Sequence, residues 1–358
     1  MKKSFLQKVV GNFLVVVLIL MLFTTSSLAG KQKIVVVGSW SNLTLYKNLE
    51  RPFWEETLPE ALNGKIEVTM TSLGQINVGG AAVLRQMEMG LFDVVTTGAD
   101  YVVSDCPELA AFDLPVLTFD IAKALKVAEV YRPVLSELVE KSFNAKLLSI
   151  TLYPAQILFL NQKVSGLKDL AGMKIRASGW TTAKFIESLG ATAVDISFGE
   201  VPQSLQRGIA DGAITGGLSG YSAGWGEVTN YIYPLPIGGW DYYITVMNMD
   251  VWNNFSKEEQ SLIQSLIFKE VEEPNWNITE KETQEGIDHL IGGKEEGEYT
   301  YGEPNDLELI KVMPEDLEFA RQILLEKVLP VWASQVDKEA VENWNKTIGK
   351  VVGIQLEK

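Results

Sequence analysis

Short apolar runs rich in β-branched residues alternate with longer segments in which apolar residues recur every three to four positions. The runs predict buried strands and the longer segments predict amphipathic helices, so the alternation favours an α/β fold. Strands are predicted at 34–37, 65–71, 92–96, 145–160 with a break at 153–156, 173–176, 191–196, 210–215 and within 230–248. Helices are predicted at 44–62, 80–89, 121–141, 199–207, 256–290, 314–329 and 337–348, with one more that ends near 189.

Three local signals refine the predicted helices. Thr181 or Thr182 is a candidate N-cap for the helix that ends near residue 189. Ser256 and Glu259 have the spacing of a capping box at the start of the long helical segment. Pro274 interrupts that segment, and we expect it to kink or divide the helix.

Arg176 ends a short predicted strand and is the most informative charged residue. The segment 167–216 alternates strands and helices rapidly, and ligands of such sheets bind at the carboxyl ends of the strands. Small residues follow at 177–179 and leave space above the arginine. A guanidinium in this place can clamp a carboxylate with two parallel hydrogen bonds.

The first residues predict a secretory signal peptide over 1–29. Lys2, Lys3 and Lys8 precede an apolar run at 13–23, and a small-residue cleavage sequence ends at Ala29. Removal of these lysines takes the formal net charge from −15 to −18. Such a charge argues against nucleic acid and anionic membranes as partners, and we expect a periplasmic protein.

The remaining length of about 330 residues predicts two lobes, because it exceeds what one hydrophobic core normally serves. No Pro/Ser-rich linker divides the chain, so several backbone crossings should join the lobes. We assign 30–155 with about 244–290 to lobe I. We assign 156–243 with about 291–358, including the C-terminal helices, to lobe II.

Enzymatic function is not expected from the motifs. Cys106 and His289 are the only residues of their types, so a disulfide within the chain, a zinc site and a serine triad lack the residues they need. Phosphate-binding, dinucleotide-binding and esterase motifs are missing. We therefore expect no catalytic residues, metal or cofactor, although a glycosidase with two carboxylates is not excluded by motif.

The stretch "LKDLAGMKIR…LGAT…EVPQSLQRGIADG" resembles the DctP-type solute-binding proteins of TRAP (tripartite ATP-independent periplasmic) transporters. "TSLGQINVGG", "MGLFDVV", "LAAFDLPVL" and "WNKTIG" occur in the matching order, so the resemblance extends over almost the whole mature chain. It implies a two-lobed periplasmic-binding-protein fold, with a mixed sheet flanked by helices in each lobe and a long helix between them. It also implies delivery of a small organic acid to the small and large subunits of a membrane permease.

The resemblance assigns the ligand's salt bridge to Arg176, which stands in the "KIR" motif. Gln156 stands where many members have a second arginine, and Thr215 stands where many have an asparagine. C4-dicarboxylates and sialic-acid-like sugars are therefore less expected here than for a typical member. Other candidate ligand-binding residues are the aromatic Trp40, Trp180, Phe198, Trp225, Trp240 and Tyr242, and, among the polar contacts of the first lobe, Gln75, Thr97 and Gly98.

Plentiful aromatic residues predict an apolar cleft that suits a monocarboxylate with a hydrophobic or aromatic body. The same residues can cage an amine by cation–π contact, with Asp100 or Asp241 as its counter-charge. Two alternatives from other functional classes remain: a periplasmic enzyme, and a ligand sensor for a membrane kinase. A closer alternative is a binding protein of an ABC transporter with similar architecture, and the resemblance at 167–216 argues against it.

Overall fold

A computed structural model describes residues 31–76, 78, 80–293 and 302–357. The predicted signal peptide lies outside the described residues. No helix among the described residues is both long and apolar enough to span a membrane. The strands within these described ranges are β1 (Gln32–Gly38), β2 (Ile66–Ser72), β3 (Val94–Gly98), β4 (Ala145–Leu152), β5 (Gln156–Leu160), β6 (Lys174–Arg176), β7 (Thr192–Val194), β8 (Gly212–Gly216), β9 (Tyr231–Tyr233), β10 (Tyr242–Asn248) and β11 (Glu308–Leu309).

The strands form two mixed sheets. The first has the order β2-β1-β3-β10-β4, and the second has the order β11-β9-β5-β8-β6-β7. In the first sheet β1 is parallel to β2 and β3, whereas β10 is antiparallel to its neighbours β3 and β4. In the second sheet β6 is parallel to β7 and β8, and β5 is antiparallel to β8 and β9. The predicted fold of two mixed sheets flanked by helices is confirmed.

Helices cover the sheets, and several continue through π-helical or 3-10 turns. The α-helical segments are Leu58–Ala61, Leu73–Ile76, Gly80–Glu88, Ile121–Phe143, Trp180–Ser188, Val201–Gln206, Gly217–Ser222, Met249–Trp252, Lys257–Ile267, Glu273–Leu290, Pro314–Ile323, Leu329–Gln335, Lys338–Lys346 and Ile348–Val352. The π-helical segments are Leu45–Glu50, Phe53–Thr57, Phe268–Glu272 and Leu324–Val328. The 3-10 turns are Ala99–Val102, Pro107–Ala110, Leu167–Leu170, Phe198–Glu200 and Trp225–Glu227.

The long helix is present and begins as predicted. The Ser256 hydroxyl accepts the Glu259 amide, and the Glu259 carboxylate accepts the Ser256 amide, so the capping box is confirmed. Pro274 does not divide the helix, because the π-helical stretch Phe268–Glu272 immediately precedes it and the α-helix then runs to Leu290. A π-helical stretch rearranges the backbone hydrogen bonds next to a residue that lacks an N–H.

Two backbone crossings between the sheets run side by side. One joins β4 to β5 at 153–155, and the other joins β9 to β10 at 234–241. The backbone amide of Gln156 donates to the Gly239 carbonyl at 2.9 Å, and the backbone amide of Tyr153 donates to the Trp240 carbonyl at 3.2 Å. The lobe boundaries stay a prediction, but these bonds tie the two crossings into one strip.

Gly286 allows the long helix to approach the helix Gly217–Ser222 closely. A Cβ at this position would lie 2.1 Å from the Leu218 nitrogen and 2.6 Å from the Gly217 carbonyl carbon. Backbone atoms cannot rotate away, so we expect Gly286→Ala to lower the free energy of unfolding by about 1–3 kcal/mol. Chemical denaturation measures this loss.

Gly199→Ala is the matched control, because no described atom lies within 4 Å of a Cβ built there. We expect its free energy of unfolding to stay within about 0.5 kcal/mol of wild type. An equally small effect of Gly286→Ala would contradict the tight helix contact.

Candidate ligand-binding site

Arg176 is the last residue of β6 and is only 3% exposed. Its Nε donates to the Ile196 carbonyl at 3.0 Å, and its Nη1 donates to the Ile214 carbonyl at 2.8 Å. The guanidinium carbon lies 5.7 Å from the ring centroid of Trp225. Among the described residues, no carboxylate forms an ion pair with this guanidinium, and its Nη2 has no hydrogen-bond acceptor. The arginine is therefore held in place and still has donors for a ligand.

A cavity of about 700 Å³ opens beside Arg176. This volume lies in the range of sites for small organic ligands. The residues that line it come from segments that follow strands of both sheets and from strands of the second sheet, and they include Trp40, Asp100, Tyr101, Arg176, Trp180 and Phe198. The cavity has mostly apolar walls, and its charged lining residues are Arg176 and the acids Asp100, Glu187 and Asp195.

A second, much smaller void also borders Arg176. Its volume is about 10 Å³, and Tyr153, Thr215 and Asp241 are among the residues that line it. A void of this size holds about one water molecule. A ligand therefore reaches Arg176 from the larger cavity in this conformation.

Three buried carboxylates lie near the arginine. Asp100, Asp113 and Asp241 each offer an oxygen within 4.8 Å of the others. Asp113 accepts the Tyr242 amide at 2.9 Å and the Trp240 amide at 3.3 Å, on either side of Asp241. Asp241 itself has a positive φ of 48°. Asp113 thus holds the crossing loop in a conformation that aspartate tolerates better than most residues.

Burial controls the ionisation of these acids. It raises the pKa of Asp100 to about 6, although the Thr181 hydroxyl and Arg176 act in the opposite direction. Burial and the neighbouring Asp100 raise the pKa of Asp113 to about 8. The pKa of Asp241 is well above its usual value because of burial and because of the other two acids. One arginine therefore faces more negative charge than it can neutralise when all three acids ionise.

The stability of the ligand-free protein should depend on pH through these groups. A raised pKa in the folded state stabilises the protein fully below the unfolded pKa of 3.8, and this stabilisation is lost as the pH rises through about 6 for Asp100 and about 8 for Asp113. We expect the melting temperature to fall by several degrees between pH 5 and pH 8. Differential scanning calorimetry of wild type and Asp241→Asn checks this, because the variant removes one acid and should melt with a weaker pH dependence. Parallel profiles would contradict the role of the cluster.

Contacts across the cavity join the two sides. The Asp100 carboxylate faces the backbone at Gly179 and accepts the Thr181 hydroxyl at 3.4 Å, where the helix Trp180–Ser188 begins. The rings of Trp40 and Phe198 lie 5.3 Å apart. The predicted cap at Thr181 or Thr182 is wrong: Gly179 is the N-cap, and both threonines are buried inside the helix.

The structure brings several predicted residues together. Trp40, Trp180 and Phe198 line the larger cavity with Arg176, and Thr215 lines the small void. Trp225 stands behind the site, where its ring lies 5.5 Å from that of Phe198.

The polar contacts predicted for the first lobe, Gln75, Thr97 and Gly98, are not among the residues that line the larger cavity or the small void. Gly98 allows the ring of Tyr101 to approach, because a Cβ there would lie 3.2 Å from that ring. The Thr97 hydroxyl is buried without a hydrogen-bond partner among the described residues. Gln75 is exposed and accepts the Ser72 amide at 3.1 Å.

Three predicted residues belong to the protein core instead. The Tyr242 hydroxyl donates to the Ala124 carbonyl, and the ring packs against Phe112 and Trp276. The Trp240 indole donates to the Thr118 hydroxyl at 3.0 Å. The side-chain amide of Gln156 donates to the Pro154 carbonyl at 2.8 Å, and the side chain is fully buried. We therefore leave Tyr242, Trp240 and Gln156 out of the proposed ligand contacts.

Sequence reasoning missed the tyrosines and one acid of the site. The Trp40 indole donates to the Tyr243 hydroxyl at 2.7 Å, which in turn donates to the Tyr101 hydroxyl at 3.2 Å. Tyr153 lies 4.8 Å from Tyr243 between ring centroids. Tyr101 follows the end of β3, so the rule that placed Arg176 at a strand end could have found it. Asp113 carried no such signal.

A family model of bacterial extracellular solute-binding proteins, family 7 (DctP), matches residues 39–320. The uncharacterized protein YiiZ of Salmonella typhimurium is 26% identical over 225 residues, which are 62% of this chain and 68% of that protein. The uncharacterized protein y4mM of Sinorhizobium fredii is 33% identical over 150 residues, which are 40% of this chain but only 27% of that longer protein.

Solved structures share the fold at low sequence identity. The extracytoplasmic solute receptor DctP7 of Bordetella pertussis, which binds pyroglutamic acid, has a TM-score of 0.76 at 17% identity and covers 89% of this chain and 99% of its own. A TRAP solute-binding protein of Desulfovibrio salexigens with bound orotic acid has a TM-score of 0.77 at 16% identity and covers 90% and 100%. One from a Sulfitobacter species with bound β-D-galacturonate has a TM-score of 0.73 at 16% identity and covers 89% and 100%.

Proposed function

The chain belongs to the DctP family of bacterial extracellular solute-binding proteins, and from this premise we propose that it captures a small organic acid for a TRAP transporter. Arg176 binds the carboxylate of the ligand through donors that the protein leaves free. The observation that carries this proposal is the buried guanidinium, which two backbone carbonyls orient at the end of a cavity of about 700 Å³. An arginine fork that is fixed before binding loses little conformational freedom when it pairs with a carboxylate.

The aromatic walls support a ligand with an apolar or aromatic body. Trp40, Trp180 and Phe198 line the cavity around its charged end. Pyroglutamate, orotate and galacturonate, the ligands of the compared structures, are all small acids. A monocarboxylate is favoured because Gln156, the residue in place of a second arginine, is buried in the core and offers no charge.

The ligand-loaded form delivers the acid to the small and large membrane subunits of the transporter. The ring contact between Trp40 and Phe198 joins the two sides of the cavity. A ligand that contacts both sides at once adds further contacts of this kind, and it therefore shifts the population toward the closed form. The family is extracellular, and together with the predicted signal peptide over 1–29 this supports a periplasmic location. We propose a receptor without catalytic residues.

A thermal-shift screen tests the proposal with aliphatic and aromatic monocarboxylates, dicarboxylates, sugar acids and amines. A ligand that binds only the folded state raises the melting temperature by mass action. We expect monocarboxylates to give the largest rise. A rise with amines that carry no carboxylate, and with no acid, would contradict the carboxylate-binding role of Arg176.

A further inference from the structure

The buried charges around the cavities balance only while Asp241 keeps its proton, which its raised pKa favours in the ligand-free protein. Arg176 is the cation among the residues that line the two voids. The buried Asp100 lines the larger cavity together with the exposed Glu187 and Asp195, and the buried Asp241 lines the small void beside the guanidinium. Neither Asp100 nor Asp241 forms an ion pair with Arg176 or with another described cation. A ligand that brought only a carboxylate would add a further negative charge to a buried site.

Asp113 has a different role from the other two acids. Its two oxygens accept the Trp240 and Tyr242 amides, so this carboxylate is occupied by the loop that carries Asp241. The other two acids have no such set of backbone donors among the described residues. Asp100 accepts a single long hydrogen bond of 3.4 Å from Thr181, and its Oδ1 has no partner among the described residues.

Independent polar groups in the same place also lack partners. Tyr153 is 3% exposed and lines the small void with Asp241 and Arg176. Its hydroxyl lies near Ser39 and Trp40 but makes no hydrogen bond of normal geometry with a described residue. The Nη2 of Arg176, on a side chain buried to the same degree, also has no described acceptor. Buried polar groups are rarely left without partners unless a ligand or water supplies them.

We propose that the ligand carries a cationic nitrogen as well as a carboxylate, so that Arg176 binds the carboxylate while Asp241 and Asp100 bind the cation. The ligand class is then a zwitterion of the amino-acid type with an apolar body. This inference rests on the receptor function proposed above and narrows its substrate class.

The surroundings favour an organic cation over a metal ion. Hard metal ions need about six oxygen ligands, and the backbone amides already occupy the oxygens of Asp113. The small void beside Asp241 is lined by the rings of Trp40, Tyr101, Tyr153 and Phe198, together with Leu43, Arg176 and the hydroxyl residues Ser178, Thr215 and Ser219. Aromatic faces stabilise an organic ammonium group by cation–π contact.

Matched series of compounds test the inference by calorimetric titration of the purified protein. One series is L-phenylalanine, 3-phenylpropanoate and 2-phenylethylamine, and another is L-leucine, 4-methylpentanoate and 3-methylbutylamine. We expect the zwitterion of at least one series to bind more than about tenfold tighter than its acid and its amine.

Variants locate the recognition of the cation. Asp241→Asn and Asp100→Asn should each reduce the preference for the zwitterion over the matched acid about tenfold or more, because each removes a carboxylate that can ionise and pair with the ammonium group of the ligand. Asp250→Asn is the matched control, since Asp250 is exposed in the helix Met249–Trp252, which follows β10. It should keep the preference.

The outcomes separate the two proposals. Equal or tighter binding of the matched acids would overturn the zwitterion and leave the acid receptor intact, whereas binding of the amines alone would overturn both. Mass spectrometry of a compound released on denaturation gives the same answer for a copurified ligand: a cationic nitrogen beside the carboxylate supports the inference, and its absence overturns it. Failure of every probe on ligand-free protein would also overturn the inference.

Discussion

Arg176→Ala is expected to weaken binding of an acidic ligand by about 100-fold or more. The side chain is buried, so in the variant the ligand carboxylate would be desolvated without a cation to pair with. Most of the loss of binding free energy comes from this unpaired buried charge. Whenever Asp100 and Asp241 are ionised, they then repel the carboxylate with no cation to compensate. Isothermal titration calorimetry with the tightest acid from the thermal-shift screen measures the loss.

Arg176→Lys separates the geometry of the fork from its charge. Lysine keeps the positive charge, but one ammonium group cannot bond the Ile196 and Ile214 carbonyls and also grip a carboxylate with two parallel bonds. We expect an intermediate loss of about tenfold with the fold retained. Arg207→Ala is the control, because Arg207 is exposed at the end of the helix Val201–Gln206. This variant should bind the ligand as wild type does. If Arg176→Lys and Arg176→Ala both keep wild-type affinity, Arg176 does not bind the ligand.

The position of Arg176 could be predicted because it depends on local signals. Its strand, the small residues after it and the helix beyond follow one another in the sequence, and strand ends meet at one edge of a sheet. The same reasoning found Trp40 and Phe198, each of which closely follows a strand end. The capping box at Ser256 is equally local, because its two partners are three residues apart.

The acids and the core aromatic residues needed information that the sequence does not hold locally. Asp113 is bound to the Trp240 amide, 127 residues away along the chain, and only the fold reveals that pairing. Every residue of β10 is buried, so Tyr242 and its neighbours show no alternation that separates a cavity face from a core face. The predicted cap at Thr181 is wrong because the helix begins earlier, with Gly179 as its N-cap, so Thr181 lies inside the first turn. Its hydroxyl donates to Asp100 in the turn after β3, a contact that only the fold reveals.

Gly179→Ala should prevent the two sides of the cavity from closing. A Cβ there would lie 1.8 Å from Asp100 Oδ2 and 2.2 Å from its Cγ. Gly179 has φ −159° and ψ −167°, extended values that alanine adopts freely, so the clash with the opposite side is the main effect. When the sides separate the clash disappears, and the fold of each side should be unaffected. We expect ligand affinity to fall about 10- to 100-fold, because overpacking costs about 1–3 kcal/mol in the closed form alone.

Small-angle X-ray scattering together with calorimetry checks this result. Wild type should become more compact when a saturating acid is added, and Gly179→Ala should change less at the same ligand concentration. The double variant Gly179→Ala/Asp100→Gly removes the clashing carboxylate, so it should regain the compact form even if its affinity stays low. Gly199→Ala, where a Cβ meets no described atom within 4 Å, should behave as wild type. Full compaction and unchanged affinity in Gly179→Ala would mean that Asp100 moves aside readily and that its contact with the helix Trp180–Ser188 does not control closure.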